Sequence, residues 1–274
     1  MPKFQSVPNV LVEGVSGAHP VVIVGANGAV VGSVATKTVA FDGEQGPSTA
    51  AVLSTNLAGA NNDLDITAVT AGADGNDITV AYIDPGANNA ALSVSVTGTA
   101  ITVNLATGGG GAITSTAADV DAAIDALPAA AALVTPANKA ANDGSGVVIA
   151  MAAAPLVGGM TPTATLFTVT GVVAVKVFAR CTESLAGATA TVEVGTALTT
   201  AGLIAQTTGT DLDINEIWHD ATPDASVEAI TVLSEKIVAQ DIIQTIGTAG
   251  VTDGTLVYYC LWSPISSNGA VVAA

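Results

Sequence analysis

The chain reads as a mainly β protein, and three observations predict this. Half of its 274 residues are hydrophobic, while aromatics make up only 3% and charged residues 11%. Ala, Val, Thr and Gly fill the remainder, and β-branched Val and Thr suit a pleated, half-buried surface. From Leu166 to Ile265, strand-like runs are broken by turn signals about every ten residues, the rhythm of a β-sandwich. Ahead of them, residues 54–161 carry alternating runs and then one helical run, which predicts a small α+β module. Residues 1–35 predict an extended N-terminal arm.

In the arm, Pro2, Pro8 and Pro20 break any helix, and GANGAVVG is turn-rich. Val10–Val12 and Val21–Val24 read as extended segments with little core of their own, to be ordered against a neighbour. Thr36–Phe41 (TKTVAF) alternates as a strand, and DGEQGPSTA after it reads as a loop.

In the module, Leu64–Val69 and Ile78–Ile83 read as strands, separated by a tight turn over Gly72–Asp77. The second ends at the Asp84–Gly86 turn. Leu92, Val94 and Val96 alternate with Ser93, Ser95 and Thr97; Ile101, Val103 and Leu105 alternate with Thr102 and Asn104. These runs predict a hairpin with one wet face. Thr116 and Asp119 have capping-box spacing, and Val120, Ile124 and Leu127 recur at helical spacing until Pro128 stops the helix. Val147–Ala152 is the expected closing strand.

In the last part, Val173, Val175, Val177, Ala179 and Cys181 line one face of a long strand, with Val172, Ala174, Lys176, Phe178 and Arg180 on the other. Further strands are expected at Gly187–Ala197, Leu203–Thr208, Glu216–His219, Ala229–Leu233, Ile242–Ile246 and Thr255–Trp262.

The net charge is −17, from 23 acids and six bases. The bases (Lys3, Lys37, Lys139, Lys176, Arg180 and Lys236) are scattered. A phosphate-binding protein needs a basic surface, so nucleic acid is excluded as a partner. Acidic shells keep particles soluble and mutually repelling. No run of 18 apolar residues is present, and the nearest, Pro20–Ala35, is interrupted by Gly25, Asn27, Gly28 and Gly32, so no membrane partner is expected. MPKFQSVPNVLVEG lacks the order of a signal peptide, which predicts assembly in a cytoplasm.

Signals for chemistry are few. The GGGG at Gly108–Gly111 lacks the Lys-Ser/Thr of a phosphate loop and reads as a connector. His219-Asp220 is the sole adjacent His–carboxylate pair, without a GxSxG elbow; His19 sits in the arm. Asp74, Asn76 and Asp77, with Asp63 and Asp65, offer oxygens, but the spacing departs from a Ca²⁺ loop and no Glu closes it. Asp, Asn and Gly are also turn formers, and the turn reading is preferred. Cys181 and Cys260 lie in apolar runs and read as buried thiols, with a disulfide as the alternative. Trp262 reads as core, and Trp218 as core ahead of an interface anchor. A glycan hydrolase would need paired carboxylates in an aromatic-lined groove. No catalytic, cofactor-binding or metal residue is assigned, and no enzyme is expected.

The stretch GADGNDITVAYIDPGANNAALSVSVTGTAITVNL, leading into TSTAADVDAAIDAL, resembles a small β-rich module of tailed-bacteriophage structural proteins. FTVTGVVAVKVFARCTE, ATATVEVGTA, LIAQTTGTDLDINEIWHDATPDASVE and YYCLWSPISSNG resemble the β-sandwich of phage capsid decoration and minor structural proteins. In that family a strand like TKTVAF lies a short loop from LFTVTG, which here begins only at Leu166. The resemblance therefore implies a discontinuous β-sandwich host domain, residues 36–53 and 162–274, with residues 54–161 inserted in one loop. It also implies a decoration (cement) protein on the capsid exterior, with the major capsid protein as partner and a homo-oligomer, a trimer, as its state. The module would project outward, with a host surface or glycan as a possible ligand. The alternative is a tail, baseplate or head-fibre component used for host adhesion.

Overall fold

The computed structural model describes residues 23–24, 30–223 and 226–274. The architecture is mainly β, and the chain forms two compact units. One takes the chain up to Gly46 together with Thr163–Ala274; the other is Pro47–Pro162.

The first unit holds two antiparallel sheets. Six strands form one of them, ordered Ile23–Val24, Val30–Ala40, Asp253–Pro264 and Val173–Ala186. Ile217–Trp218 and Lys236–Val238 both pair with the far side of Val173–Ala186. The other has five, in the order Thr199–Thr208, Thr191–Thr196, Ile242–Gly247, Thr163–Thr170 and Ala270–Ala273. Period-2 alternation on Val173–Ala186 gives the core its wall: Val173, Val175, Val177, Ala179 and Cys181 are all buried. Val192, Val194, Ile204, Ile242 and Ile246 reach the same core from the five-stranded sheet. At the centre, the Tyr258 hydroxyl donates to Gln244 Oε1 at 2.5 Å, which joins the two sheets and satisfies two buried polar groups.

The Val30–Ala40 strand starts earlier than TKTVAF suggested. Ser33–Ala40 pair with Thr255–Trp262, and Ala35 is buried in the core. The part of it read with the arm, from Val30 to Ala35, thus stands in the sheet. Val10–Val12 lies outside the described residues.

The second unit has its own core, which includes Leu64, Ile66, Val80, Tyr82, Val103 and Ile124. Val52–Ser54, Leu64–Ala68 and Val134–Asn138 make a three-stranded sheet, and Ser93–Thr97, Ala100–Asn104, Thr79–Ile83 and Met151–Pro155 a four-stranded one. The expected hairpin forms, with Thr97 opposite Ala100 and a left-handed Gly98 (φ 61°) in its turn. Ala100–Asn104 then lies parallel to Thr79–Ile83, a pairing that alternation alone does not reveal. The closing strand runs over Met151–Pro155, later than Val147–Ala152.

The Ala117–Ala126 helix starts at the predicted capping box. Thr116 Oγ1 accepts from the Asp119 N–H at 3.2 Å, and Asp119 Oδ2 accepts from the Thr116 N–H at 2.8 Å. At the other end Leu127 turns extended and Pro128 opens a separate short turn, Pro128–Ala131. The Thr116 backbone N–H, then its hydroxyl, hold the Asp119 carboxyl below its ordinary value. A lowered carboxyl pKa stabilises the fold above the unfolded value, about 3.9, and that contribution is lost as pH falls through the folded value. Thr116→Ala is therefore expected to cost about 1 kcal/mol. Alanine keeps the backbone N–H and removes the hydroxyl, so it should also lessen in part the unit's loss of stability below about pH 4, as read by urea unfolding at pH 3 and pH 7. Unchanged stability at pH 7 would mean that the Thr116 hydroxyl does not cap the helix.

Candidate interaction surface

The outward positions of the six-stranded sheet form the surface with the most distinctive chemistry. Alternation sends Ala174, Lys176, Phe178 and Arg180 away from the core. Across the ladder, Lys176 faces Leu261, Phe178 faces Tyr259 and Arg180 faces Val257. On the next strand Val34 lies opposite Leu261, and Thr36 opposite Tyr259. Phe178 and Tyr259 stack with ring centroids 4.9 Å apart and planes 10° from parallel, an offset geometry that favours two ring quadrupoles.

Beside this pair the chain leaves the sheet edge after Trp218 and returns at Lys236. Sequence alternation predicts a strand over Ala229–Leu233, but the structure has a 3-10 turn at Ile230–Val232 instead. Its apolar residues serve two surfaces. Leu233 is buried, while Ile230 and Val232 are 60% and 44% exposed. Between the excursion and the sheet lies a groove of about 320 Å³, lined by Val34, Phe178, Ile217, Glu228, Ile230 and Tyr259 among others. A second depression, of about 300 Å³, shares Val34, Ile230 and Leu261 with it and reaches Lys176, Glu235 and Trp262. Mostly apolar walls with a few charged groups suit burial of an apolar side chain or edge, with orientation set by the charges.

The residues singled out in sequence fall in different places. His219 stands at the start of the excursion. Its Nδ1 lies 3.7 Å from Asp220 Oδ2 and its Nε2 3.8 Å from Glu228 Oε2. The two carboxylates thus flank the imidazole, one beside each ring nitrogen. Trp218 is fully buried, edge-on to Tyr258 at 6.4 Å; Trp262 is half-buried against the same core.

Cys181 and Cys260 are both buried and unbonded. Val177 pairs with Cys260 and Cys181 with Leu256, so the cysteines are offset by four positions along adjacent strands. That is about 13 Å of strand, beyond the reach of a disulfide. Burial pushes the Cys181 thiol up to about 11 and the Cys260 thiol up to about 12.

In the second unit, Asn76 clasps Gly159, accepting from its N–H at 2.8 Å and donating to its carbonyl at 3.0 Å. Asp63 accepts from the Leu57 N–H at 2.7 Å. Asp74, Asn76 and Asp77 lie in the short 3-10 turn Ala73–Asp77, and Asp65 accepts from the Ser54 hydroxyl. Among the described residues, no group of three or more His, Cys, Asp and Glu side chains is placed to hold a metal ion. Gly108–Gly111 closes a turn in which the Gly111 N–H donates to the Gly108 carbonyl and the Gly108 N–H to that of Ala112. His19 and Lys3 lie outside the described residues.

The Phe178–Tyr259 pair was not singled out in sequence. Its signal is an apolar ring at an outward position of an otherwise alternating strand. Comparison with family models, with curated proteins and with solved structures gives no match for this chain.

Proposed function

We propose that this chain is a structural protein of a tailed-bacteriophage virion, a capsid decoration protein that binds the outer capsid surface and stabilises the head. Its work is mechanical: it holds neighbouring major capsid subunits together through buried surface. In this reading the two sheets of the first unit are a β-sandwich, and Pro47–Pro162 is an α+β module inserted in one of its loops.

One observation carries the reading beyond the sequence resemblance. Gln45 pairs with Val251, and Thr163 pairs with Thr245. The two ends of the intervening segment therefore lie along one short stretch of the first unit, residues 245–251. That supports the family's order of strand, short loop and LFTVTG, with a module opened into the loop. The acidic balance, −17, suits the outside of a particle and disfavours contact with packaged nucleic acid. No helix among the described residues is long and apolar enough to cross a membrane. The homo-oligomer, with trimeric symmetry, comes from the resemblance.

Cryo-electron microscopy of the particle tests this reading. Density for the chain on the shell is the expected result; density on the tail or baseplate replaces it with the host-adhesion reading. Attachment should rest on apolar contact and strand pairing, because the surface has so few bases to form ion pairs, and exposed ion pairs contribute little and are screened. Washing decorated particles with rising sodium chloride should leave the copy number unchanged, and sulfate should tighten the hold. Steep release at moderate salt would show attachment to be electrostatic.

A further inference from the structure

We propose that Asn268 is a site of self-modification: the Gly269 backbone nitrogen displaces ammonia from the Asn268 amide, and water opens the resulting ring to aspartate or isoaspartate.

The site is built by the turn over residues 265–269, which joins the strand Asp253–Pro264 to Ala270–Ala273. Val172 pins this turn. Its carbonyl accepts from the N–H groups of Ile265 and Ser266 at 2.9 and 3.1 Å, and its own N–H donates to Ser266 Oγ at 2.8 Å. Chain packed this closely leaves no room for a side chain at position 269. A Cβ there would stand 2.7 Å from the Val172 carbonyl oxygen and 3.1 Å from Pro264 Cα. Packing therefore holds the position to glycine. Asn268 before it is exposed, and its Oδ1 accepts from the Ser266 hydroxyl at 2.8 Å.

These contacts assemble the parts of an intramolecular acyl transfer. Glycine presents its nitrogen with no Cβ to crowd ring closure. Hydroxide takes the proton of that nitrogen, which then attacks Asn268 Cγ. The bond from Cγ to the amide nitrogen breaks, ammonia leaves with a proton from water, and a five-membered imide remains. Water adding to one imide carbonyl gives aspartate, and to the other isoaspartate. Attack places negative charge on Oδ1, where the Ser266 hydroxyl already donates. The Gly269 N–H donates to the Ser266 carbonyl at 2.9 Å, so closure waits for one hydrogen bond to open. In an exposed turn such opening costs little. Every other Asn among the described residues is followed by a residue with a Cβ. The second Asn–Gly pair, Asn27–Gly28, lies outside the described residues.

The two products differ in consequence. Aspartate keeps the main chain as it is, and its carboxylate still accepts from Ser266. Isoaspartate routes the main chain through the former side chain and adds a backbone atom to the turn. That turn feeds Ala270–Ala273, the strand that pairs with Thr163–Thr170 and sends Val271 into the core. Isoaspartate should therefore loosen this edge of the first unit.

The sequence makes the site easy to read. Trypsin cuts last after Lys236, so the final peptide, residues 237–274, contains Asn268 and no other Asn. The full chain is held warm for weeks at pH 6 and pH 8, then digested and weighed. That peptide is expected to gain the mass difference between an amide and a carboxyl, and to split into two chromatographic forms. Because the attacking nitrogen must lose its proton, conversion should be at least about tenfold faster at pH 8. Asn268→Gln, whose longer side chain would have to close a larger ring, should keep its amide. Asn268→Asp should melt with the fresh parent, and the aged parent below both. An unconverted peptide at pH 8 overturns the proposal, as does faster conversion at any other described Asn. Equal melting of the aged parent and Asn268→Asp overturns the loosening assigned to isoaspartate. The inference does not rest on the virion reading: absence of the chain from a particle would refute that reading and leave the peptide masses unaffected.

Discussion

Replacing Trp218 by alanine is expected to lower the stability of the first unit by about 3–5 kcal/mol. The indole is fully buried and stands edge-on to Tyr258. Tyr258 in turn holds Gln244 of the opposite sheet. Truncation leaves a cavity beside this polar tie between the sheets, on an edge strand only two residues long. The midpoint should fall by about 2–4 °C per kcal/mol, so calorimetry should show a drop of about 6–20 °C. Trp218→Phe separates volume from polarity. The Trp218 Nε1–H is buried without an acceptor, so phenylalanine removes an unsatisfied donor while keeping a ring against Tyr258. It should cost much less than alanine. Equal losses for the two variants would mean that the ring contact is not what stabilises this corner.

Excision of Pro47–Pro162 should leave a folded β protein. The first unit's core includes none of the excised residues. Its two cut ends lie by residues that pair with Val251 and Thr245, so a short glycine–serine linker from Gly46 to Thr163 spans the gap. Loop-closure entropy varies only slowly with loop length, so shortening this connection changes stability by no more than a few kcal/mol. The product should show strand circular dichroism and one cooperative melt. An aggregated or unfolded product would mean that the first unit depends on the excised one.

The elements legible in sequence were those whose local pattern matched their final burial. The Thr116–Asp119 cap, the Ser93–Asn104 hairpin and the alternation of Val173–Cys181 all belong here, because neighbours within a few residues specify them. Other features were set by partners remote in sequence. Val134–Asn138 was missed because Pro136 argues against a strand, yet it pairs with Ile66 at the sheet's edge, where a missing N–H is tolerated. Ala229–Leu233 looked like a strand because its apolar residues alternate, but no ladder partner waits for it. Ser33–Ala35 looked like arm because a turn-rich GANGAVVG precedes it, and its partner, Cys260–Trp262, lies at the far end of the chain. The candidate surface was half legible. Phe178 and Tyr259 are visible as rings in strand patterns, but their meeting requires the register of two distant strands.

The placement of the two cysteines has a use for measurement. The chain contains only these two; both lie in the first unit, and neither has its partner within bonding reach. Burial holds both as unreactive thiols. A thiol-modifying reagent therefore reacts only when the six-stranded sheet opens, and nothing in Pro47–Pro162 reacts with it. The rate of labelling becomes a clock for one half of the molecule. It reports the opening of that sheet.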